Sequence, residues 1–192
     1  MVPAGAQSAS EILERAVQAG AAGNGVEERR ILEEGIAALG PGNSNAFSLY
    51  MQLMQSNMDL GNVARGARAA EAAVKLAQLP GQQLISTTRA YSIHAALHDK
   101  AKTAEYRAQM ESLLPRLRAL RGWNQFGSLW EANIAWAKGQ GAAHEGKFAE
   151  AEGLYRTCLG LVQQFLRTDS QSKPATFLMA DCTAGVLNMQ VA

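Results

Sequence analysis

The chain is predicted to be all-α, on three observations. It is rich in the strong helix formers Ala, Leu, Gln, Glu and Arg, with 47% apolar but only 6% aromatic residues. Val, Ile and Thr nowhere gather into the alternating runs that mark a half-buried strand. Turn signals fall near Gly25, Gly61, Asp99 and Gly146, interrupting a pattern that is otherwise helical. A length of 192 residues allows one or two domains. No interior linker rich in Pro, Gly or Ser divides them, so the expectation is a single domain over residues 1–192.

The elements follow from their caps and stops. Ser8 or Ser10 can cap a first helix carrying Ile12, Leu13, Ala16 and Val17, which ends at Gly20. After the Gly23-Asn24-Gly25 turn, Val26 to Leu39 form its partner, stopped by Gly40-Pro41-Gly42. Asn43 or Ser44 caps the next helix to Leu60, and Asn62 opens another that Pro80-Gly81 closes after Leu79. Gln82 to His98 and Lys100 to Arg121 make a third pair, in which Pro115 either kinks the second helix or starts a fresh turn. Asn124 to Glu145 and Lys147 to Arg167 make the fourth. A final helix from Ser172 or Lys173 carries Phe177, Leu178, Cys182, Val186 and Leu187. The hairpins thus span roughly 8–40, 43–79, 82–121 and 124–167, with a capping helix over 172–191.

The last hairpin is the most informative. From Trp136 to Cys158 it places Gly139 as a close-approach point in its first helix, Gly146 at the turn, and Phe148, Ala151, Tyr155 and Cys158 as the buried stripe of its second. That stripe advances by three, four and three residues, which keeps it on one side of a helix. This segment resembles a tetratricopeptide repeat, in which small residues let two helices approach and aromatics fill the gaps between them. A weaker copy runs from Tyr50-Met51-Gln52-Leu53-Met54 through Gly61, Val63 and Gly66 to Ala70 and Ala73. A fainter one joins Tyr91–Leu97 to Ala104, Ala108 and Leu113-Leu114 across a turn at His98–Lys102, and a first copy runs from Ser10 to Leu39. The pattern departs from the family at several places. Trp136 sits one position late, Lys138 and Ala142 replace apolar and aromatic residues, and no Pro follows Cys158.

The resemblance implies a right-handed αα-superhelix, a solenoid of about four hairpins whose last apolar face the capping helix covers. It also implies a non-catalytic scaffold whose concave groove receives a peptide or helix of a partner protein. The positions turned towards that groove are Met51, Gln55, Met58, Arg89, Ile93, Asn133, Trp136 and Gln140. The alternative expectation is a repeat segment of a larger protein that regulates an enzymatic or signalling domain outside the chain, since the sequence stops at Val191-Ala192 without a polar tail.

Other chemistries are poorly served. The net charge of +1, with Lys and Arg interspersed among acids, provides no basic stripe for nucleic acid, and Arg116, Arg118 and Arg121 suit a solvated helix face. No apolar run approaches the roughly 18 residues that would span a bilayer. Gly141 to Lys147 has most of the spacing of a phosphate loop, but Phe148 stands where a Ser or Thr should hold magnesium. His94 and His98 are four apart yet lack a third metal ligand, and Cys158 with His144 is a weak nucleophile pair because the thiol falls in the buried stripe. No cofactor or metal is therefore expected. The small, uncharged amino terminus differs from a complete signal peptide and leaves both a cytoplasmic and an exported chain open. Cys158 and Cys182 lie twelve residues on either side of Ser170, so antiparallel packing of the last two helices would bring them level, either as two buried thiols or as a disulfide.

Overall fold

The computed structural model describes residues 8–191. The readings of the amino terminus over residues 1–7 and of Ala192 fall outside those residues. The described residues contain nine α-helices and no strand. They fall into two compact units, Met1–Gln82 and Gln83–Ala192.

The first unit holds two helical hairpins. Helix α1 (Ala9–Ala21) starts at a capping box in which the Ser8 side chain accepts from the Glu11 N–H while Glu11 reaches back to the Ser8 N–H. It lays Ile12 and Ala16 against α2 (Gly25–Leu39), where Gly35 leaves room for the Ile12 side chain. A short 3-10 turn (Ser44–Ala46) leads into α3 (Phe47–Asp59), which pairs with α4 (Val63–Leu76). The α4 face is made of Gly66, Ala67, Ala70 and Ala73, and at Gly66 it admits the Met58 side chain and the Met54 backbone of α3. The sequence has Pro80-Gly81 closing a helix. Instead it opens α5 (Pro80–Ala96), because proline at the first helical position loses no intrahelical hydrogen bond.

The second unit holds most of α5, then α6 (Lys100–Arg118), α7 (Trp123–His144), α8 (Phe148–Leu166) and α9 (Lys173–Gln190). Pro115 stays within α6. Tight packing centres on Tyr155 of α8. A Cβ added at Gly139 of α7 would meet its ring at 2.8 Å, and one added at Gly185 of α9 at 2.7 Å. The ring therefore fills the space two glycines leave open, and burial pushes its hydroxyl up to a pKa of about 12. Next to it a Cys158–Cys182 disulfide ties α8 to α9, with Cα atoms 6.2 Å apart. Of the two states the sequence leaves open for these cysteines, this is the bridged one.

The packing corrects two expectations from the sequence. Phe148, expected in the buried stripe, is 43% exposed. It is the first residue of α8, and a helical side chain leans towards the N-terminus, which at this position is off the helix start. The stripe begins one turn later and runs Ala151, Tyr155, Cys158, Val162, Phe165. In α6 the buried stripe is Tyr106, Met110, Leu113 and Leu117, while Ala104 and Ala108, expected to pack, are exposed. The larger apolar side chains set the phase, because they have more area to remove from water.

One local motif recurs four times among the described residues. Gly23, Gly61, His98 and Gly146 each take a positive φ at a hairpin turn. In every case that residue's N–H donates to the carbonyl three residues back, and the next residue's N–H donates to the carbonyl five back. The second set is Asn24 to Ala19, Asn62 to Asn57, Asp99 to His94 and Lys147 to Ala142, at 3.0, 2.7, 3.0 and 2.9 Å. This is the Schellman closure of a helix, followed immediately by the N-cap residue of the next one. Only the third turn places a residue with a Cβ in the left-handed region.

Candidate binding cleft

The second unit carries a cleft of about 670 Å³ between the end of α5, the exposed face of α6 and the end of α7. Its floor is made of small groups, Ala95, Ala104, Ala108 and Gly141. Ala104 and Ala108 lie one turn apart on α6, so the outward phase of that helix makes the floor apolar. Gly141 is required by its neighbour: a Cβ there would overlap the hydroxyl of Tyr91, a fully buried side chain of α5. That hydroxyl in turn accepts from Arg107 Nη2 at 3.0 Å, which fixes the guanidinium at the cleft wall.

Charged and imidazole groups surround this floor. Glu145 sits between Arg107 at 3.5 Å and Lys147 at 2.7 Å. The Lys147 hydrogen bond, followed by the two positive charges, holds the Glu145 carboxyl below its usual range. Glu111 is drawn to Lys138 at 3.4 Å, and Lys100 has no ion-pair partner among the described residues. His98 and His144 meet edge to face with ring centroids 6.4 Å apart. Partial burial, and then the proximity of His98, lower the pKa of His144.

The residues assigned to a groove from the sequence are placed differently. Met51 and Met58 are half-buried on α3, with the Met58 sulfur directed at Gly66, and Gln55 is exposed and donates to Asp59 at 2.8 Å. Arg89 and Trp136 are brought together, the guanidinium 4.1 Å from the ring centroid, and Arg89 reaches Asp181 of α9 at 3.5 Å. Burial lowers the Arg89 pKa while Asp181 opposes that shift. Ile93, Asn133 and Trp136 are buried, which corrects their assignment to an open groove; the Asn133 amide donates to the Leu129 carbonyl in its own helix. Gln140 is half-buried. Arg89, Trp136 and Asp181 thus connect α5, α7 and α9 and act in packing.

The sequence reading misses the cleft residues as a site. His98 and His144 lie on different hairpin turns, and no periodicity predicts their meeting. A usable signal is present at His98, which occupies the turn position that glycine fills in the other three hairpins. A non-glycine residue costs about 1–2 kcal/mol in that conformation.

The arrangement surrounds an apolar floor with the donors Lys100, Arg107 and Lys147, two imidazoles, and the carboxylates Glu111 and Glu145. His94 and His98 do not form a ligand pair: His94 is buried and stacked on Tyr106 at 5.5 Å, whereas His98 lies beyond the helix end. Cys158 is buried and bridged, so it is not a free thiol for His144. No group of three or more potential metal-ligating residues occurs among the described residues. No helix among them is long and apolar enough to cross a membrane.

No protein-family model matches the chain, and no curated protein matches it.

Proposed function

We propose that this chain is a non-catalytic protein-interaction module of the tetratricopeptide-like kind, which takes a short segment of a partner protein into the cleft of its second unit. The observation that carries this reading is the fourfold recurrence of one hairpin closure, with the same pair of backbone hydrogen bonds each time. Repeated helix pairs are a common way to build a rigid surface, and a rigid surface keeps the ordering cost of binding on the partner's side. The cleft suits such a role through its open apolar floor and its charged rim. Ala108→Trp tests it by filling the floor from an exposed position. The full chain should capture a protein from its source extract, and the Trp variant, helical by circular dichroism, should lose it. Equal capture by both would show that partners dock elsewhere than in the cleft.

A second reading, that the chain regulates another folded domain, draws on α9. Its outer side exposes Phe177 and Leu187, 71% and 57% accessible, which would suit contact with another folded surface.

A further inference from the structure

The geometry points to an acidic peptide segment as the occupant of this cleft, its aspartate or glutamate side chain received among His98, His144, Lys100 and Lys147, with binding that strengthens as pH falls. This rests on the reading of the cleft as a partner site and adds the partner's chemistry.

Charge is the first support. Of the carboxylates lining the cleft, Glu111 is matched by Lys138 from outside the lining, and Glu145 alone is shared by Arg107 and Lys147. Lys100 has no ion-pair partner among the described residues. The lining therefore carries an excess of positive charge facing an apolar floor, which disfavours a cationic occupant and favours an anionic one. Shape is the second. Lys100, Ala104, Ala108 and Glu111 run along one side of α6 over about 16 Å, the length of roughly five extended residues. A compact inorganic anion would leave most of that track empty.

The third support is His98. Its backbone holds a conformation that glycine occupies in the three sister turns, and its ring is directed against His144 at the cleft edge. Local strain of this kind persists where the side chain has a use. His144 resists protonation because it is partly buried and lies against His98. An incoming carboxylate supplies the missing counter-charge, so binding takes up protons, and by linkage the affinity rises as protons become available. The other charged groups facing the pair are Lys100, Arg107 and Glu111 on α6, Lys138 on α7, and Glu145 and Lys147 at the turn. Asp99 faces His94 at 3.4 Å.

The test uses the full chain and a rhodamine-labelled hexapeptide of alternating aspartate and alanine, with an asparagine counterpart, followed by fluorescence anisotropy. The aspartate peptide should bind about tenfold tighter than the asparagine one and tighten several-fold between about pH 7.5 and about pH 5.5. Lys100→Gln with Lys147→Gln should abolish the preference. His144→Gln should flatten the pH dependence, and His98→Gly, which fits the turn without strain, should weaken aspartate binding without lowering the melting temperature. Equal binding of both peptides, or a pH-independent aspartate affinity, overturns the acidic occupant while leaving a partner cleft in place. Binding of either peptide that survives Ala108→Trp overturns the cleft itself. No binding of the aspartate peptide at either pH overturns the acidic occupant, and the extract capture then decides the cleft separately.

Discussion

The third and fourth hairpins close with the same turn, yet the outer face of α6 in the third makes a cleft floor, whereas α7 and α8 of the fourth interlock with α9 around one ring. In the fourth, Gly139 and Gly185 admit the Tyr155 ring from either side, and the Cys158–Cys182 bridge holds α8 to α9. In the third, α6 turns its large apolar side chains inward and presents Ala104 and Ala108 to solvent beside the end of α7. Turn chemistry therefore sets that two helices will pair. What differs is whether a large side chain enters the space that small residues leave: the Tyr155 ring does so in the fourth hairpin, while in α6 the large apolar side chains lie on the other face.

Breaking the tight region should have the largest effect. Tyr155→Ala removes the side chain that fills the space between two glycines, and is expected to cost about 4 kcal/mol in chemical denaturation. Filling the space from the other side, Gly185→Val, should cost up to about 3 kcal/mol through overlap with that ring. Removing the disulfide with a Cys158→Ala, Cys182→Ala pair should cost about 3 kcal/mol, since it closes a loop with a sequence separation of 24. A loss much below about 1 kcal/mol would mean the bridge adds little to the α8–α9 contact.

Smaller effects are expected in the cleft. His98→Gly should leave stability unchanged or raise it by up to about 1 kcal/mol, as the strained position becomes equivalent to its three sisters. Ala108→Trp, at an exposed site, should shift stability by no more than about 0.5 kcal/mol while blocking the floor. A change of several kcal/mol in either would show that the cleft is structural. The two regions should also differ in pH response. The raised pKa of Tyr155 contributes stability that is full below 10.0 and lost as pH rises through about 12. The lowered pKa of His144 contributes stability present above 6.5 and lost as pH falls through its folded value. Tyr155→Phe should remove the alkaline slope and His144→Gln the acidic one in thermal melts taken across pH.

The helices are legible in the sequence because their ends carry chemistry that acts over three or four residues. Ser8 with Glu11, Asn24 and Asp99 each cap a backbone N–H through their own side chain. The role of Gly139 is legible too, since a glycine in a helix opposite an aromatic stripe marks where a ring needs room. The phase of α6 is not. Its alanines at four-residue spacing resemble a packing stripe, and only the competing row of Tyr106, Met110, Leu113 and Leu117 shows which side is inward. Periodicity misplaces Phe148 because it takes no account of the helix start, where the side chain leans off the end. It also assigns Trp136 and Arg89 separately to a groove, whereas their contact with each other, and with Asp181 from a helix far along the chain, depends on tertiary packing.

The most direct test of the cleft as the binding surface is an amide NMR titration of the isotope-labelled full chain with the aspartate–alanine hexapeptide. Saturable shifts are expected at Lys100, Ala104, Ala108, Gly141 and His144, with α3 unchanged. Shifts confined to Met51, Gln55 and Met58 on α3, or no saturable shifts at the cleft residues, would contradict a binding surface there.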